Sequence, residues 1–107
     1  MAGMSARPTT ASTVDFTSVR NHHEQSVFRA VIETASQFPG VSHRPELLVD
    51  VACVALNRLP PRYIRHEADF AFFLTDRERA DSELAISEAV EYAFGFVQAR
   101  TAMRARR

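Results

Sequence analysis

A mainly α domain, compact, with three to four helices and room for one short extended β segment, is the architecture this chain implies. Three features imply it. Apolar residues recur at three- and four-residue spacings along three long stretches, as one face of a helix requires. Prolines at 39, 45, 60 and 61 punctuate those stretches. The length, 107 residues, suffices for one domain and not for two, so the stretches must share one core.

Residues 1–15, MAGMSARPTTASTVD, are small and polar without periodicity, and a disordered leader is expected there. The single domain is assigned to 16–104 and a basic tail to 105–107. The first helix is expected over 18–37, where Val27, Val31, Ala35 and Phe38 recur at about four-residue spacing with Phe28 and Ile32 beside them. Asn21 either caps this helix, with Glu24 at the third position, or lies inside a helix starting at Ser18. Pro39-Gly40 is expected to stop it. His22 and His23 point about 100° apart on a helix, a poor geometry for one metal ion. Both are expected to be exposed, with ligand contact as the alternative.

The central helix is expected from Pro45 to Leu59. Pro45 suits the first helical position, and Pro60-Pro61 cannot continue a helix. Glu46, Asp50, Cys53 and Asn57 fall on one stripe, and nearly every other position up to Leu56 is aliphatic. A helix so apolar is expected to be buried on most sides. In a chain this short the helix is expected to be central, and packing against a second subunit is expected to complete the burial.

Residues 62–74, RYIRHEADFAFFL, carry Tyr63, Ile64, Phe70, Phe72 and Phe73, which favour extended structure. Two short strands or an irregular linker both fit. The phenylalanines of 70–73 need cover from the helices or from a partner chain. Thr75-x-x-Glu78 is a capping box that starts the last helix near Asp76. Ile86, Val90, Ala93 and Val97 then recur at i, i+4, i+7 and i+11, and Phe94 widens the face. Gly95 weakens the helix interior and suggests a close crossing. The tail from Arg100 is basic, which suits a helix C-terminus, and is expected to fray.

Composition narrows the function. Net charge is zero, so the whole chain has no strong attraction to nucleic acid or membrane. All thirteen basic residues are Arg, so any anion site is built from planar, forked donors. Cys53 is the single cysteine, which excludes an internal disulfide and a Cys-rich zinc site. No apolar run approaches the roughly 20 residues needed to span a bilayer. The N-terminus lacks the apolar core of a secretory signal, so the cytoplasm is the expected location. There is no G-x-S-x-G, no Walker loop and no H-E-x-x-H, and three glycines cannot form a Gly-rich phosphate loop. A Cys53–His pair is discounted because burial in an apolar helix keeps a thiol protonated. The chain is therefore not expected to be an enzyme or to hold a cofactor or metal.

A binding surface is what remains. Asn57, Arg58, Arg62, Tyr63, Arg65 and His66 cluster where the central helix ends, on a corner that Pro60 and Pro61 stiffen. Arg offers two parallel donors to phosphate oxygens. Arg and Tyr lie flat on purine rings, and Asn pairs with a base edge. The set suits a small nucleotide with phosphates and purines. The plain alternative is a solvated Arg-rich turn in which Asn57 caps carbonyls.

The same stretch carries a likeness to known proteins. Asp50, Ala55-Leu56-Asn57, Leu59-Pro60-Pro61 and Tyr63 resemble the signature of the late competence protein family, ComFB. Asn21-x-x-Glu24-x-x-Val27 is similar to that family's first helix, and the likeness covers residues 19–98. The resemblance implies a compact helical homodimer that binds a cyclic dinucleotide and relays the signal to a regulatory protein. Cyclic di-GMP is favoured over cyclic di-AMP. The positions it carries over are Asn57, Leu59, Pro60, Pro61 and Tyr63, to which Arg58, Arg62 and Arg65 are added on chemical grounds. Some members have a Cys cluster before the central helix. Here that region reads GVSHRPELL, so no metal is carried over. After Tyr63 the chain reads Ile64-Arg65-His66 and Asp69-Phe70, where the resembled proteins show a small polar pair and a Gly-aromatic step. Two other functions stay open: a ligand-free homodimeric interaction module, and a small DNA-associated protein using the Arg tail.

Overall fold

Three of the chain's breaks occur one residue before a proline. Phe38, Arg44 and Leu59 precede Pro39, Pro45 and Pro60, and their φ/ψ values of −130/73°, −121/96° and −102/136° all leave the helical region. The proline ring crowds the residue before it out of α geometry, so each break is written into the sequence. The structure, a computed structural model, describes residues 13–66 and 74–106. In chain order the elements are β1 (Arg20–Asn21), α1 (His23–Thr34), a 3₁₀ turn (Ala35–Gln37), α2 (Pro39–Ser42), α3 (Pro45–Arg58), β2 (Tyr63–Ile64) and α4 (Asp76–Ala105). The fold is mainly α, as expected, with one two-stranded antiparallel sheet.

α3 and α4 form the spine, and α1 packs on both. The core joins Val27 and Val31 of α1, Val41 of α2, Leu47, Val51 and Ala55 of α3, and a face of α4 from Ile86 to Val97. That α4 face, Ile86, Ala89, Val90, Ala93, Phe94 and Val97, matches the expected spacing. Phe94 is fully buried and stacks on Phe38, with ring centroids 4.6 Å apart and planes 7° from parallel. α4 begins at the expected capping box. The Thr75 hydroxyl accepts from Glu78 N at 3.1 Å, and Glu78 Oε1 accepts from Thr75 N at 3.1 Å.

Several expectations need correction. The first helix starts at His23, because residues 20–21 leave it to pair with β2. Pro39 starts a new helical turn, α2, so Pro39-Gly40 is not a plain stop. His23 is buried, with only 9% of its surface exposed. Cys53, in contrast, is exposed on its stripe, so burial does not protect its thiol. Gly95 marks no close crossing: a Cβ there meets nothing within 4 Å. The tail stays helical through Ala105. The phenylalanines of 70–73 and most of the leader lie outside the described residues.

α3 is also less enclosed than its composition implies. Val49 is 68% exposed, as is Ile32 on α1. With Phe28, Pro45, Leu48 and Ala52 they line an open apolar groove of about 430 Å³.

Candidate functional site

The elbow after α3 is clamped to the start of α1 by the small sheet. Arg20 pairs with Ile64 and Asn21 with Tyr63, antiparallel. His22 N donates to Arg62 O at 2.6 Å. One side chain completes the clamp: Asn21 Oδ1 accepts from Arg62 N at 3.1 Å and from His23 N at 3.2 Å. The second bond satisfies one of the donors that every helix N-terminus leaves without an intrahelical partner. Asn21 therefore caps α1 from outside it and holds the elbow with the same oxygen. Glu24 does not complete a capping box, since the residue bordering the helix is His22 and it has no side-chain cap.

Two sequence segments meet here. Asn21 and Glu24 from the first, with Asn57, Leu59, Pro61 and Tyr63 from the second, line one concavity of about 430 Å³. Pockets of roughly 300–1,000 Å³ are the usual size for small organic ligands. Tyr63 is 69% exposed, so most of its ring is open to a stacking partner. Asn57 Nδ2 donates to Cys53 O at 2.9 Å and lies 3.7 Å from Cys53 Sγ. The first bond is the carbonyl cap of the plainer alternative, the second is a weak donation of the same Nδ2 to sulfur, and Oδ1 of Asn57 is left for a guest. Cys53 lines the same concavity.

The arginines do not converge on it. Arg58 turns to α4, its Cζ 3.7 Å from the Tyr92 ring centroid. Tyr92 stacks with Phe96 at 6.2 Å, and the Arg100 guanidinium lies 5.6 Å from the Phe96 centroid. Arg100 Nη2 also bonds Asp50 Oδ2 at 3.2 Å, which ties α4 to the solvated stripe of α3. Arg62 lines a second concavity, of about 320 Å³, with His23, Glu78 and Asp81. Leu59 and Pro61 line both concavities and so form the ridge between them. Arg65 lies past β2, exposed, and does not line the first concavity. Of the eight expected positions, the elbow brings together Asn57, Leu59, Pro61 and Tyr63, places Pro60 on the second concavity, and distributes Arg58, Arg62 and Arg65 around them.

Among the described residues His23 is the buried polar one, and it lines the second concavity with Pro60 and Pro61. Burial lowers its pKa from the usual 6.5, and repulsion from His22 and Arg62 adds to this, while a hydrogen bond to the Pro60 backbone opposes it. Its Nδ1 is buried and has no partner among the described residues. The imidazole is thus held neutral near pH 7.

Sequence reading gave Glu24 no part in the site. Its spacing from Asn21 was visible, but only the 41-residue closure between Asn21 and Arg62 places it beside Asn57. Tyr92 was missed because nothing in α4's own periodicity links it to Arg58.

No helix among the described residues is long and apolar enough to cross a membrane. Neither a curated protein nor a solved structure matches the chain significantly. The family model described as late competence development protein ComFB matches residues 20–101. That span runs from β1, through both halves of the concavity, to the Arg100–Asp50 pair, and on it the chain belongs to the ComFB family.

Proposed function

We propose that this protein is a cytoplasmic receptor for a cyclic dinucleotide, cyclic di-GMP in preference to cyclic di-AMP, and that it passes the signal to a regulatory protein without chemistry of its own. One observation carries this reading. The residues of the family signature at the elbow and those of the first segment line a single concavity with an exposed Tyr ring and a half-free Asn amide. A base enters that concavity and stacks on Tyr63. Its phosphates remain at the exposed rim of the elbow, where forked arginine donors suit them. The ligand's own two-fold symmetry matches a homodimer. The apolar groove between α1 and α3 offers such a dimer its contact, since Ile32 and Val49 are largely exposed and Phe28 partly so on one chain.

Isothermal titration of the purified chain with cyclic di-GMP and cyclic di-AMP tests the reading. Saturable heat with cyclic di-GMP supports it; absence of heat with both, at high micromolar protein, ends it. The groove alone favours a second reading, a homodimeric interaction module that binds no nucleotide. That reading expects dimers and no thermal shift with any nucleotide.

A further inference from the structure

Resting on the receptor reading, we infer that Glu24 selects the base: its carboxylate reads the N1–H and N2–H₂ edge of a guanine held against Tyr63 and Asn57. Among the described residues Glu24 is the one charged residue lining the elbow concavity, and it is half-buried there. Among the described residues its carboxylate has no hydrogen-bond or ion-pair partner. Its place in the first turn of α1 suits a negative charge, because the helix dipole is positive there. That placement explains the charge. It does not explain why the group lines a concavity beside an aromatic ring and a partly free amide.

The chemistry of the edge decides which base fits. An ionised carboxylate only accepts hydrogen bonds, and it accepts two side by side. Guanine presents two adjacent donors, N1–H and N2–H₂. Adenine presents a donor beside an acceptor, N6–H₂ beside N1, so one carboxylate oxygen would face a lone pair. The guanine O6 next to N1 needs a donor, which Asn57 Nδ2 supplies by exchanging its weak 3.7 Å bond to Cys53 Sγ for the stronger oxygen acceptor. A carboxylate also repels phosphate. That repulsion keeps the phosphates out of this concavity.

The test is calorimetric titration of the full chain and its Glu24→Gln variant with cyclic di-GMP, cyclic di-AMP and cyclic di-IMP, whose hypoxanthine keeps N1–H and O6 but lacks the N2 amino group. The wild-type chain is expected to prefer cyclic di-GMP over both others by roughly tenfold or more, as the loss of a charge-assisted bond implies. Glu24→Gln is expected to remove most of that preference while keeping the wild-type circular dichroism. If the variant unfolds, the wild-type selectivity series decides by itself. Equal affinity for cyclic di-GMP and cyclic di-IMP, or selectivity unchanged in a folded Glu24→Gln, overturns the role of Glu24 and leaves the receptor reading standing. No binding of any of the three overturns both.

Discussion

Replacing Asn21 by Ala removes a single oxygen that serves two backbone donors 39 residues apart, at Arg62 N and His23 N. Each intramolecular bond contributes roughly 0.5–1.5 kcal/mol net, and a donor left dry costs more. The Arg62 side of the clamp is exposed, so water recovers part of that loss. The expected destabilisation is about 1–2 kcal/mol, a sizeable share of the roughly 5–15 kcal/mol that holds a domain of this size. Urea unfolding measures it as a lower midpoint at an unchanged slope, since the buried surface is the same. Asn21→Asp keeps the acceptor and places a negative charge at the start of α1, so it is expected to recover most of the loss. A change below about 0.5 kcal/mol for Asn21→Ala, the size of an ordinary surface substitution, refutes the clamp. So does an Asp variant no better than Ala.

Gly95→Ala is expected to stabilise the chain by about 0.5–1 kcal/mol, because the site is an exposed helix interior where a Cβ meets nothing within 4 Å; thermal unfolding reads it. His23 has a lowered pKa in the folded chain, so on acidification the unfolded chain takes up this proton first, near 6.5. Stability from this group is full above pH 6.5 and declines as pH falls through the lowered folded pKa; unfolding midpoints of wild type and His23→Gln measured from pH 7.5 to 5 check it, the variant lacking that part of the slope. Arg58→Ala removes the cation over Tyr92 and is expected to cost about 0.5–1 kcal/mol without loss of helix content by circular dichroism.

The parts of the fold set by neighbouring residues were legible in the chain. Prolines 45 and 60 bracket α3 to within one residue, and the Thr75–Glu78 box starts α4 where expected. The parts set by distant residues were not. β1 and β2 are two residues each, too short for any alternation to appear, and they exist because segments 41 residues apart meet. The start of α1 and the burial of His23 both follow from that meeting. The candidate site divides in the same way. Asn57, Leu59, Pro61 and Tyr63 were grouped by the family resemblance, and because they follow one another closely around the elbow they share a surface. Arg58 and Arg62 looked equivalent to them in the sequence. On a helix end followed by a proline corner, however, successive residues face different directions, and each arginine meets a different neighbour. Cys53 shows a further limit: an aliphatic helix does not bury its polar stripe, and the helical wheel outweighed composition.

In the proposed receptor the elbow concavity holds the base of a cyclic dinucleotide. A titration of ¹⁵N-labelled protein with cyclic di-GMP, followed by amide chemical shifts, shows where the ligand sits. Shifts concentrated at residues 21–24 and 53–63, saturating with ligand, are the expected result. Saturable shifts confined to other surfaces, or none at millimolar ligand, contradict it.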